Sequence, residues 1–261
     1  MRGGDFEGVR PIALHFTFCG LCVRDPPPAE NEPAADRPVV SVPAVLTSLL
    51  LFGKSIGKSK LGVTISADGK AWTKYFPADD MKANADTANN IHYDPHLKKY
   101  LAFSRVDAKG PSAKLYGSRR EVRSTAPSYK GPWSVAQQCA KGEAGYEMYA
   151  LEPWRDASWA AGTYFAVGMY YNTTRAKKGC ATSDPKCPDE RVFCELLSSS
   201  NYGANWTRVA PHKPFIPLGQ SPDDFDSHTC YASKAFADPK DPSTTRFYYA
   251  GTEGALLLLF T

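Results

Sequence analysis

The sequence predicts an all-β fold. Short runs rich in Val, Ile, Tyr, Phe and Thr alternate with clusters of Gly, Pro, Asp and Asn. No segment of useful length carries a 3.6-residue apolar period. The 20 glycines and 21 prolines supply turns for many short strands. The strand-like runs are LGVTIS (61–66), NIHY (90–93), YLAFSR (100–105), TYFAVGMYY (163–171), VFCELLSS (192–199) and RFYYAG (246–251). Asp94-Pro-His-Leu-Lys-Lys separates NIHY from YLAFSR, so Asp94 is expected to open a hairpin turn rather than to do chemistry. Asp238-Pro-Lys-Asp-Pro-Ser is expected to do the same between YASKAFA and RFYYAG.

Self-similarity organises these strands. One unit starts at Asp86, runs through the NIHY–YLAFSR hairpin and ends near Trp133. A second starts at Glu147, runs through TYFAVGMYY and VFCELLSS and ends at Trp206. A third starts at Asp226 and stops after its hairpin. LTSLLLFG and KLGVTISADGKAWTKY form an earlier partial unit ending near Trp72. Each unit reads as acid, hairpin, strand and Ser-to-Trp turn. Such a repeat predicts the blades of a β-propeller, incomplete, with about three to four blades. Residues 1–42, with Pro26-Pro27-Pro28 and AENEPAADRP, read as a disordered or atypical segment. The propeller domain is expected over 43–261, truncated at its C-terminus.

Charge and cysteine usage narrow the function classes. Net charge is +4 from 31 basic and 27 acidic residues, scattered along the chain, which argues against nucleic acid as a partner. The apolar stretch 45–52 is too short to span a bilayer. The seven cysteines include a lone Cys19-x-x-Cys22 without a second pair, so neither metal nor cofactor is expected. Cys180 and Cys187 bracket a polar loop that a disulfide could close. Two sequons, Asn172-Thr-Thr and Asn205-Trp-Thr, lean toward a secretory or extracellular compartment; a monomer is expected.

Ser66-Ala-Asp68-Gly69-Lys-Ala-Trp72 and Ser199-Ser-Asn201-Tyr-Gly203-Ala-Asn-Trp206 have the S-x-D-G-x-x-W grammar, in its short and long forms. This turn resembles the Asp-box of sialidases and the related turn of five-bladed glycosidases. Its Asp or Asn bonds local backbone, its Gly takes the positive-φ position and its Trp packs between strands, a bracing role. DTANNIHYDPHLKKYLAFSR is similar to an element of the glycosidases related to invertases, arabinanases and xylosidases, glycosyl hydrolase families 32 and 43. SSSNYGANWTRV followed by FIPLG and FDS resembles proteins with a glycosyl hydrolase family 32-like N-terminal domain. The likeness covers about residues 45–254.

The resemblance implies a five-bladed type of propeller and a carbohydrate in its central funnel. It implies that Asp86, Glu147 and Asp226 each open an innermost strand and converge as candidate catalytic acids. Glycoside hydrolysis needs two carboxyl groups, one protonated and one ionised. By resemblance Asp86 is the orienting acid and Glu147 the general acid, while Asp226 has no assigned role. The relatives' first-blade acid falls before Leu46, where only Glu30, Glu32 and Asp36 are available. Arg105, His92, His228, Tyr149 and Trp154 are candidate sugar-binding residues. Glu152 and Glu253 are weaker funnel candidates. The reading is a glycoside hydrolase-like protein. The alternatives are a non-catalytic carbohydrate- or protein-binding propeller and a sialidase-like protein.

Overall fold

A computed structural model describes residues 47–55, 58–66, 71–74, 76–83, 88–107, 119–155, 159–173, 191–221, 223–238 and 240–252. The tract 1–42, Cys19, Cys22, Asp68, Asp86, Cys180, Cys187 and Glu253 lie outside the described residues.

Of the four sheets among the described residues, three built on antiparallel meanders follow one another in chain order. The first holds β1 (Thr47–Ser55), β2 (Lys58–Ser66) and β3 (Phe76–Pro77). The second is the meander β4 (Asn90–Asp94), β5 (Lys99–Asp107), β6 (Arg119–Ala126) and β7 (Gln137–Lys141). The third is built on the meander β8 (Tyr146–Trp154), β9 (Tyr164–Asn172), β10 (Val192–Ser199) and the short β11 (Thr207–Arg208). The sheets stack face to face, as propeller blades do. Strand alternation explains the stacking, because both faces of the middle blade are apolar. On β5, Ala102 and Tyr100 join Leu61, Val63 and Ile65 in the layer against the first sheet. Leu101 and Phe103 join Met148, Leu151, Ala166 and Leu197 in the layer against the third.

The third repeat departs from the expected pattern. Its first strand, β12 (Thr229–Ala232), is not the edge of a separate sheet. It lies parallel to β10 at Val192–Thr229 and antiparallel to β15 (Tyr249–Thr252). The Cys194–Cys230 disulfide ties β10 to β12, with both residues fully buried. RFYYAG is also not one strand. Arg246 ends β14 (Asp241–Arg246), which pairs with β13 (Phe236–Asp238), and Tyr249 starts β15. The reason is local: Asp238 accepts from the Lys240 N–H at 2.9 Å and from Arg246 Nε at 2.6 Å, so the hairpin closes at once and the DPS segment becomes strand.

Two turns behave as their residues dictate. Asp94 is fully buried and accepts from the His96 and Leu97 N–H groups at 2.9 and 2.7 Å and from Tyr164 Oη at 2.6 Å. In the Ser199–Trp206 turn, Ser199 Oγ accepts from the Gly203 N–H and Asn201 Oδ1 from the Asn205 N–H, each at 3.0 Å. Gly203 takes φ +73°, and Trp206 packs edge-on against Phe103 at 6.1 Å. A Cβ on Gly203 would sit 2.6 Å from Phe103 Cζ. Gly203→Ala is therefore expected to destabilise by about 1–3 kcal/mol, from backbone strain and overpacking together, read as a lowered denaturant midpoint.

Within the third sheet, a buried ionic knot joins β8, β10 and β11. Glu195, with no exposed surface, accepts from Arg208 Nε and Nη2 at 2.6 and 2.8 Å, from Tyr146 Oη at 2.8 Å and from the His212 N–H at 3.0 Å. Arg208 also pairs with Glu143 at 3.0 Å and lies over the rings of Tyr146 and Tyr170 at 5.1 and 4.6 Å.

Candidate functional site

The β8 strand carries the site. It is the edge of its sheet, which lets Pro153 sit in it without costing a ladder bond. A bulge between Met148 and Ala150 leaves Tyr149 without a direct partner on β9 and re-aims its ring. The Arg105 guanidinium, from β5, lies 4.7 Å over that ring. Arg119, from β6, lies 5.6 Å over Tyr149 and 5.1 Å over Tyr171. Arg119 Nη1 also donates to Glu147 Oε2 at 2.7 Å. Tyr231 of β12 completes the cluster, its ring 5.9 Å from that of Tyr149. Burial, with the Tyr149 neighbour adding, pushes the Tyr231 phenol up to about 12. The cluster offers aromatic faces, two planar donor forks and one carboxylate, a set suited to a ring that carries hydroxyl groups.

A second group lies farther along β8. Glu152 is 6% exposed, and burial pushes its carboxyl up to about 7 against the Asn90 hydrogen bond and the nearby Lys234 charge. Asn90, buried at the start of β4, also donates to the Leu151 carbonyl at 2.9 Å and so joins the two blades. A carboxyl that is half protonated near neutrality can donate or accept a proton there.

The structure brings Arg105, Glu147 and Tyr149 together. His92 goes elsewhere: its ring packs against Phe103 at 5.4 Å and Tyr164 at 5.9 Å in the interblade layer. Burial, reinforced by Lys234 and Arg123, holds it well below the usual histidine range, and its Nε2 is enclosed. His228 lends its backbone to the sheet, donating to the Thr252 carbonyl at 2.8 Å and accepting from Val192 at 3.3 Å. Trp154 packs on Phe165 at 6.0 Å. Asp226 is buried in a turn, accepts from Tyr249 Oη at 2.9 Å and lies against Gly251, where a Cβ would approach its own Cβ to 2.4 Å. Asp86 is outside the described residues.

Sequence reasoning missed Arg119, Tyr171, Tyr231 and Asn90. Arg119 sits in SRREVR, where alternation alone could have put it on the face of Glu121 and Arg123, but nothing pointed to the blade it meets. On the opposite face of the β8–β9 ends, Glu143, Tyr146, Asn172, Phe193 and His212 line an open cavity of about 620 Å³.

No protein-family model matches the chain. No curated protein sequence matches it. Solved structures do. A glycosyl hydrolase from Bacteroides ovatus matches with a TM-score of 0.50 at 13% identity, over 80% of this chain and 59% of that one. A structure described with the GH130 family of mannoside phosphorylases, which contains glycoside hydrolases that target β-1,2 mannosidic linkages in Candida mannan, matches with a TM-score of 0.50 at 11% identity over the same shares. The chain thus spans about 59% of the length of these neighbours. At such identities the likeness is one of fold alone, an all-β propeller.

Proposed function

We propose that the chain is a glycoside hydrolase-like protein that takes a carbohydrate against the β8 wall. The observation that carries this reading is the gathering of the Arg105 and Arg119 guanidinium groups over the Tyr149 ring, with Arg119 paired to Glu147. The sugar would stack on Tyr149, Tyr171 or Tyr231 while the forks and Glu147 take its hydroxyl groups. Glu147 and Glu152 stand five residues apart on a strand, about 16 Å between Cα atoms, too far to serve one bond as a carboxyl pair. Glu147 therefore needs a different partner. The acid that the resemblance offers as that partner is Asp86, with Asp226 as the third acid. The finer kinship with family 32-like proteins and Asp-box turns rests on the S-x-N-x-G-x-x-W sequence and the bonds that brace it.

Glu147→Gln is expected to lower aryl-glycoside hydrolysis about a hundredfold while leaving sugar binding in place. Equal rates for the two proteins would remove Glu147 from the chemistry. A second reading, a carbohydrate-binding propeller without turnover, is favoured by one observation: the Glu147 carboxylate is already engaged by Arg119. Glycan binding without turnover, weakened by Tyr149→Ala, would select it.

A further inference from the structure

We propose that Asn205 is an N-linked glycosylation site and that the second sequon, at Asn172, is not used. Asn205-Trp206-Thr207 is a complete acceptor triplet, and Asn205 and Thr207 are both exposed. The turn holds the triplet out to solvent from both ends. The Asn205 N–H is fixed on Asn201 Oδ1, and the Trp206 indole is turned inward against Phe103 and Tyr164, at 6.1 and 6.5 Å. Beside Asn205 lies a shallow depression of about 290 Å³, lined by small polar residues including Thr163, Ser199 and Asn201, where a first sugar residue meets hydroxyl groups and no apolar obstruction. The compartment follows from a separate feature. A fully buried disulfide, Cys194–Cys230, belongs to proteins that fold in an oxidising environment, where N-glycosylation takes place. The remaining described thiol, Cys139, is buried and pushed well up by that burial, so it does not compete for disulfide exchange.

Asn172 is different. It ends β9, its N–H donates to the Arg191 carbonyl at 2.8 Å, and it faces the cavity of Tyr146, Phe193 and His212. Asn172 is half-buried where Asn205 is exposed, and a first sugar there would lie against the Tyr146 and Phe193 side chains. On Asn205 the chemistry is a group transfer from a polyprenyl-pyrophosphate-linked oligosaccharide. The Nδ2–C1 bond forms, the C1–O bond to the pyrophosphate breaks, the lipid pyrophosphate leaves, and one amide proton passes to the transferase.

The test uses the full-length protein purified from the cells that make it. Amidase release of N-glycans in heavy-oxygen water, followed by peptide mapping, is expected to leave a labelled aspartate at position 205 and an unlabelled Asn172. Expressed in the same cells, Asn205→Gln and Thr207→Ala each lose the amidase-sensitive mobility shift, and Asn172→Gln keeps it. An unmodified Asn205 in the wild-type protein overturns the proposal, as does a label at Asn172 or a shift that survives in both Asn205→Gln and Thr207→Ala.

Discussion

Glu152→Gln is expected to remove a fall in stability that the wild-type protein undergoes as pH rises from about 4.5 to about 7. The unfolded carboxyl ionises near 4.5, whereas the buried one holds its proton to about 7. Between those values the unfolded chain releases a proton that the folded chain keeps, so each step upward favours unfolding. The stability present below 4.5 is lost progressively and is gone above 7. At about 1.4 kcal/mol per pH unit this amounts to about 3 kcal/mol. Glutamine is neutral throughout and keeps the Asn90 contact, so the variant matches the wild type at pH 4.5 and exceeds it by about 3 kcal/mol at pH 8. His92 works in the opposite sense. Its folded form is held neutral well below 6.5, so it removes stability as pH falls below 6.5. Denaturant midpoints of both proteins from pH 4.5 to 8 isolate the Glu152 contribution as the difference between the two curves, and the slope that remains in Glu152→Gln includes that of His92. Parallel curves for the two proteins would mean that Glu152 is solvated and ionised in the folded state.

The same residues explain what the sequence makes legible. VFCELLSS at 192–199 coincides with β10, because a β-rich run ending in a Ser-Asn-Gly-Trp turn leaves the chain few alternatives. Asp94 sits in its predicted turn for the same reason. The site residues are less legible. In a stacked sheet both faces of a strand are covered, so alternation says that His92 and Arg105 are inward without saying against what. His92 meets Phe103 and Tyr164, while Arg105 meets Tyr149. The bulge at Tyr149 shifts the parity of everything beyond it, and this puts Glu152 among Asn90 and Lys234. The third repeat fails differently. Its strand composition is right, but its pairing with β10 goes with the Cys194–Cys230 link, a tertiary contact, and its hairpin closes early through the local bonds of Asp238.

Replacing Glu195 with leucine is expected to cost about 3–5 kcal/mol, and replacing Arg208 with methionine in the same chain to restore most of it. Glu195 has no exposed surface and satisfies four donors at once: two from Arg208, one from Tyr146 and the His212 N–H. Leucine fills the volume but accepts nothing. It leaves the guanidinium with Glu143, whose side chain is 47% exposed, and leaves the Tyr146 hydroxyl unbonded. An ion deprived of its buried partner bears its full desolvation cost, which is why the single change is severe. The double change removes that ion as well, and the methionine stem can lie on the Tyr146–Tyr170 stack, rings 5.1 Å apart, that the guanidinium covers now. The knot joins β10, β11 and the turn at His212 to the start of β8, so its loss also loosens the strand that carries Glu147 and Tyr149. Equilibrium unfolding of the two single variants and the double variant gives the coupling directly. A double variant as unstable as Glu195→Leu would show that Tyr146 and His212, rather than Arg208, depend on the carboxylate.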